Sequence, residues 1–391
     1  MKYNFDVVIN RFNTASVKWD GLENTFGSKD LISMWVADMD FPCPMPVIDA
    51  LTKRAAHGIY GYTLRTESYL DSICSWMQKR HDWHIQKEWI CHSPGVVPAL
   101  GFIVNAFTEP GDNVIIQSPV YYPFSKMVEA SGRQIVYNPL KFDGERYTMD
   151  YDDLEAKVRA GAKMLILCSP HNPVGRVWTR DELLNLGQIC KDNDVLVVSD
   201  EIHFDLVYKD FIHTPFAALS EEFAANSIIC TAPSKTFNLA GLQTSNIIIA
   251  NEGLRARYTN FVERLGLTLG NTFGLYALET AYTQGEEWLD ELLDYLKGNL
   301  DFLTQFIEKR IPKIKVIKPE GTYLVWLDCR SLNMDALKLE QFMRTLGGVA
   351  LDDGHIFGPE GSGFERINIA CPRSLLEEGL YRIEQAVNSL T

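Results

Sequence analysis

The sequence lacks any apolar run near the roughly 20 residues that a bilayer-spanning helix needs. Its start, Met1-Lys2-Tyr3-Asn4-Phe5-Asp6, carries an early acid and no apolar stretch of the signal-peptide kind. It has eight cysteines but no C-x-x-C pair, and several lie in apolar runs such as Leu165-Ile166-Leu167-Cys168. Buried reduced thiols are therefore expected, rather than a disulfide framework or a zinc site, and the cytoplasm is the expected address. Positive charge is scarce: 37 Lys and Arg face 51 Asp and Glu, a net charge of −14. Such a balance argues against binding nucleic acid or an anionic membrane surface, while leaving room for one local pocket for a small anion. Internal repeats, low-complexity segments and Ser/Gly linkers are absent from the sequence. So are a Walker motif, a G-x-S-x-G elbow and a dinucleotide fingerprint.

What is there is a 391-residue chain, 46% hydrophobic and 23% charged, the balance of a globular protein of two or three domains at about 150 residues each. Its middle alternates strands with helices. Asn113–Gln117, Lys163–Cys168, Val195–Val198, Ile228–Cys230 and Asn246–Ala250 are short, nearly continuous runs rich in Val, Ile and Leu. Runs of this kind suit strands buried on both faces, as in a mostly parallel sheet. Thr179-Arg180-Asp181-Glu182 fits a capping box at a helix start. Leucines and an isoleucine at helical spacing predict a long amphipathic helix over 286–310. Strands at Lys315–Ile317 and Thr322–Leu327 and a last helix from about Arg373 complete the pattern. The expectation is an α/β fold: a large domain over 46–283 with a mostly parallel sheet, and a smaller α+β domain from 1–45 and 284–391.

In open α/β sheets the chemistry gathers beyond the carboxyl ends of the strands. Four such ends carry polar residues: Tyr121-Tyr122, His171-Asn172-Pro173-Val174-Gly175, Asp200-Glu201-Ile202-His203 and Ser234-Lys235-Thr236. Singly, Asn172-Pro173 is a turn, Asp200 a helix cap and Lys235 a solvated lysine. Together they match what pyridoxal phosphate needs: a lysine, a carboxylate for the pyridine nitrogen, donors to the phenolic oxygen, an aromatic face and a phosphate cradle.

On these residues the chain resembles the fold-type I pyridoxal phosphate enzymes of the aminotransferase superfamily, over essentially its whole length. Ser169–Gly175 is similar to the N-P-x-G motif, Asp200–His203 to the D-E-x-[Y/H] motif and Ser234–Phe237 to the S-K segment. Within the superfamily, Trp35–Phe41 and Ala232–Leu242 resemble the cystathionine β-lyase (MalY/PatB) family. The resemblance implies pyridoxal 5'-phosphate as cofactor and no metal. Lys235, the lysine that carries the cofactor and moves the α-proton, and Tyr121, stacked on the ring, become the catalytic candidates. Asp200 faces the pyridinium nitrogen, Asn172 and His203 the phenolic oxygen, and Tyr122 neighbours Tyr121. Val96 and Val97 offer backbone N–H groups to the phosphate at a helix start, with Ser234 adding a hydroxyl. Many aminotransferases carry an arginine eight residues after the lysine; this chain has Gln243. Arg366, in an R-x-N segment, is the choice for the substrate α-carboxylate, with Arg373 its competitor. Tyr62 matches a tyrosine reaching the neighbouring subunit's cofactor and substrate, which implies a homodimer with shared active sites; alone it reads as a packed aromatic.

Two further signals carry bland expectations. His81 and His84 read as a solvated helix end rather than a metal pair, and Gly358–Gly363 as a mobile loop near the site entrance. The implied activity is a C–S β-lyase acting on cystathionine, cysteine or a related S-substituted amino acid, giving a thiol, ammonia and pyruvate. An aminotransferase on the same scaffold is the first alternative. A partner-binding regulatory protein is the second, disfavoured because Lys235, Asp200, Asn172 and Arg366 are all present.

Overall fold

The computed structural model describes residues 2–390. Seven strands form the central sheet, in the order Ile90–Ser93, Ser245–Ile248, Ser227–Thr231, Leu196–Asp200, Met164–Cys168, Asn113–Ile116 and Gln134–Tyr137. Ser245–Ile248 runs opposite to the other six strands, antiparallel to both of its neighbours. Every residue of the three central strands is buried. Their continuous apolar runs follow from that: side chains alternate between faces, and both faces are covered. Leu165, Leu167, Val197 and Ile229 join one core, while Ile166, Val198 and Ile228 join another with Leu100, Ile103 and Val104 of the helix Val96–Phe107. The register aligns Cys168 with Asp200 and Asp200 with Cys230, so three adjacent strands end side by side.

A four-stranded antiparallel sheet follows, in the order Lys315–Ile317, Leu324–Asp328, Phe364–Asn368 and Asp352–Asp353. The helix Glu286–Arg310 has the expected length, and it packs on the last helix, Arg373–Asn388. Ile32–Ser33 pairs in parallel with Val349–Ala350, which ties the first residues of the chain to its last third. Gly175 joins the two sheets: its φ is +73°, and a Cβ there would press on Pro319. A residue other than glycine would be strained and crowded at once.

Two expectations are corrected. His81 is not solvated: its side chain is 5% exposed and its Nε2 bonds Asp205 Oδ1 at 2.8 Å, whereas His84 is exposed. No cluster of metal-ligand residues occurs among the described residues. Gly358–Gly363 is a packed corner rather than a mobile loop. Two single 3₁₀ turns, Gly354–Phe357 and Pro359–Gly361, press together so closely that a Cβ on Gly354 or Gly361 would strike the other's backbone. The Val120 amide donates to Phe357 O at 2.9 Å, fixing this corner beside Tyr121.

Candidate active site

The carboxyl ends of the aligned strands open into a cavity of about 360 Å³, within the usual range for small-molecule sites. Its walls include Tyr121, Asn172, Asp200, His203, Ser234 and Lys235, with Gly95, Val96 and Val97 at one end. The motif residues, spread over more than a hundred positions in sequence, therefore share one chamber.

Lys235 lies on a single helical turn, Pro233–Thr236, that follows the strand Ser227–Thr231. Its Nζ donates to Ala37 O at 2.6 Å. Burial pulls its pKa down to about 8, against the opposing pull of Asp38 and Asp200. Asp200, the last residue of its strand, is 3% exposed and accepts the Ile202 amide at 3.1 Å. Burial pushes its carboxyl up to about 7, the Lys235 amine only partly offsetting it. A buried acid whose carboxylate is held by a backbone amide is costly until a cation arrives. A protonated pyridine nitrogen is such a cation. His203 is fully enclosed, burial holds it well below the ordinary imidazole range, and its Nδ1 has no partner. A neutral imidazole with an open nitrogen can donate to a ring oxygen.

At the other end, the first internal bond of the helix Val96–Phe107 is Ala99 N–H to Gly95 O at 3.1 Å. Earlier amides have no helical acceptor, and those of Val96 and Val97 stand at the cavity. Ser234 and Gln243 line the same cavity. The donor set fits pyridoxal phosphate: a carboxylate for the ring nitrogen, a lysine, an open imidazole and a helix start for the phosphate.

Arg366 is 2% exposed and stands behind Asn172, donating from Nη1 to Asn172 Oδ1 at 3.0 Å and from Nη2 to Trp35 O at 2.9 Å. It also pairs with Asp352, while its Nε has no partner. Arg373, its competitor, is elsewhere, bonded to Asn299 and lying over the Phe302 ring. Tyr62 is 96% exposed and lies outside the chain's own cavity. Tyr122 is half-buried, its ring 5.4 Å from that of Tyr121.

Sequence reasoning missed Ala37 and Tyr323. The Ala37 carbonyl accepts both Lys235 Nζ and, at 2.9 Å, the buried Tyr323 hydroxyl. Around it, Asn238 bonds Met39 and Phe41, and Asn368 bonds Val36 and Asp38. Arg11 and Lys18 pair with Asp38 and Asp40. The distinctive Trp35–Phe41 string was the available signal, but a carbonyl acceptor has no side-chain signature.

Comparison with known proteins agrees with this geometry. The family model for aminotransferase class I and II matches residues 29–383. Cystathionine β-lyase PatB of Bacillus subtilis (strain 168) is 47% identical, the match covering 98% of this chain and 100% of that protein. Cystalysin from Treponema denticola, solved with pyridoxal 5'-phosphate, superposes with a TM-score of 0.97 at 41% identity over 100% of both chains. The pyridoxal-phosphate-bound C–S lyase from Staphylococcus hominis gives 0.92 at 35% identity over 98% of each. With its motifs gathered at one cavity and its whole length matched, the chain belongs to the aminotransferase class I and II family, among its cystathionine β-lyase relatives.

Proposed function

We propose that this protein is a pyridoxal-phosphate-dependent C–S β-lyase that cleaves cystathionine, cysteine or a related S-substituted amino acid to a thiol, ammonia and pyruvate. The observation that carries the reading is the cavity in which Lys235, with its lowered pKa, and the buried Asp200 meet beside a helix start. Close relatives named as cystathionine β-lyase and C–S lyase support it. Pyridoxal phosphate, when bound, supplies an electron sink for the charge left at the substrate's Cα.

The chain's residues do the rest. Val96, Val97 and Ser234 would hold the phosphate, Asp200 would keep the ring nitrogen protonated, Asn172 and His203 would bind the phenolic oxygen, and Tyr121 would offer an aromatic face. Lys235 would take the α-proton with an amine that burial keeps partly neutral near pH 8. Arg366, standing behind Asn172, is the cation for the α-carboxylate. Lys235 is the one Lys or Arg among the described residues lining the cavity, and Arg366 stands just behind Asn172, which leaves no further cation there for the second carboxylate of a dicarboxylate substrate. A thiolate on the β-carbon leaves readily once the α-proton is gone, so elimination outruns amino transfer.

This reading includes a homodimer in the cytoplasm, with Tyr62 reaching the partner's site. Exposed Ile59, Tyr60, Tyr62 and Leu64 support the first part, and eight free thiols, suited to a reducing compartment, the second. It also divides the chain into a cofactor-binding unit over 46–283 and a smaller one from 1–45 and 284–391. The test is borohydride reduction of the yellow holoenzyme followed by peptide mapping. Label on Lys235 is expected; label elsewhere, or no cofactor after reconstitution, would end this reading.

A further inference from the structure

The segment that carries Asp200 and His203 has a second side. Asp200 and His203 face the cavity, while Glu201 and Asp205 enter the protein behind it. Glu201 accepts from the Ser199 hydroxyl, the Phe216 amide and His213 Nε2, each at 2.9 Å, and so secures its own loop. Asp205 reaches further. Its side chain is fully enclosed and accepts from three others: Trp76 Nε1 at 3.1 Å, His81 Nε2 at 2.8 Å and the Thr236 hydroxyl at 2.8 Å. Thr236 adjoins Lys235.

The Lys235 turn needs such a hold. Pro233–Thr236 is four residues long, and one turn of helix is not stable by itself. The structure fixes it on two sides. Asn238 ties the following residues to Met39 and Phe41, and Thr236 ties the turn to Asp205. Trp76 and His81, on the helix Glu67–His81, hold the other lone pairs of Asp205, so the carboxylate cannot swing away. The His81 ring lies 4.5 Å from Phe204 and 5.7 Å from His213, which encloses the cluster. A buried carboxylate is a poor source of stability compared with an apolar group of the same shape, so its value here lies in fixing geometry.

We infer that Asp205 is a positioning residue for Lys235, acting through the Thr236 hydroxyl from the side of the turn opposite the cavity. The inference rests on the assignment of Lys235 as the cofactor lysine. The amine must reach both the cofactor and the substrate's α-proton, and a displacement near 1 Å costs about a hundredfold in rate.

The test uses the holoenzyme and two variants that keep the turn's shape. Thr236→Val removes the hydroxyl; Thr236→Ser restores it. Two properties are read: kcat and KM for elimination, and the midpoint of the pH titration of the visible absorption band. Thr236→Val is expected to lower kcat by at least about tenfold at unchanged KM and to displace the midpoint. Thr236→Ser is expected to bring both back, and Asp205→Asn to displace the midpoint in the same direction. A Thr236→Val enzyme that only melts at a lower temperature, with kcat and midpoint intact, would overturn the inference and leave the lyase reading standing. A parent enzyme without any visible band would overturn both.

Discussion

Burial moves Lys235 down to about 8 and Asp200 up to about 7, and both shifts weaken the cofactor-free fold near neutrality. An unfolded chain ionises the Asp200 carboxyl at its ordinary 3.8, while the folded one holds the proton to about 7. Stability from this group is therefore full below 3.8 and lost as pH rises through 7. The loss is on the order of 4 kcal/mol at about 1.4 kcal/mol per pH unit. For Lys235 the sign is opposite: stability present above 10.5 is lost as pH falls through about 8. Cofactor-free Asp200→Asn is thus expected to resist urea better than the parent at pH 8, with the advantage shrinking towards pH 4; an advantage constant with pH would contradict this. Arg366→Ala should lower kcat/KM on amino acids at least tenfold with cofactor retained, since about 1.4 kcal/mol is a factor of ten and charge-assisted bonds exceed it. Arg373→Ala, bonded far from the cavity, should leave kcat/KM unchanged. Residue types with their own chemistry, such as Lys235 and Asp200, were legible in the sequence because motif and role coincide. Ala37 was not, because its contribution is a carbonyl, and neither was Asp205, whose partners lie 129, 124 and 31 positions away.

Elements were legible where one local rule decided them. The helix Glu286–Arg310 follows from its leucine spacing, and the helix Arg180–Lys191 opens with the expected capping box, Thr179 Oγ1 accepting from Glu182 N at 3.2 Å. Thr179→Ala should cost about 1 kcal/mol in unfolding free energy and leave kcat intact. Local rules misled where tertiary contacts took over. Gly358–Gly363 has the composition of a loose loop, but its Gly361 and the preceding Gly354 permit the tight approach of two turns beside Tyr122. His81 lies in a polar stretch, yet the helix Glu67–His81 presents it to a buried acid. The antiparallel direction of Ser245–Ile248 also left no mark, since a buried antiparallel strand has the same apolar composition as a parallel one.

For the whole molecule, the exposed apolar group around Tyr62 and the cavity it does not reach belong to one expectation. Tyr62→Ala and Lys235→Ala should each be inactive as homodimers, and mixing them under subunit exchange should restore activity in the one site of each hybrid that holds both native residues. Proven exchange without recovery would count against a shared site. The chemistry itself is decided by product analysis. Incubated with cystathionine or cysteine and no added keto acid, the holoenzyme should release pyruvate, ammonia and the corresponding thiol (hydrogen sulfide from cysteine) in equal amounts over many turnovers. A requirement for stoichiometric keto acid acceptor, with amino transfer in place of pyruvate release, would contradict the lyase account and leave an aminotransferase in its place.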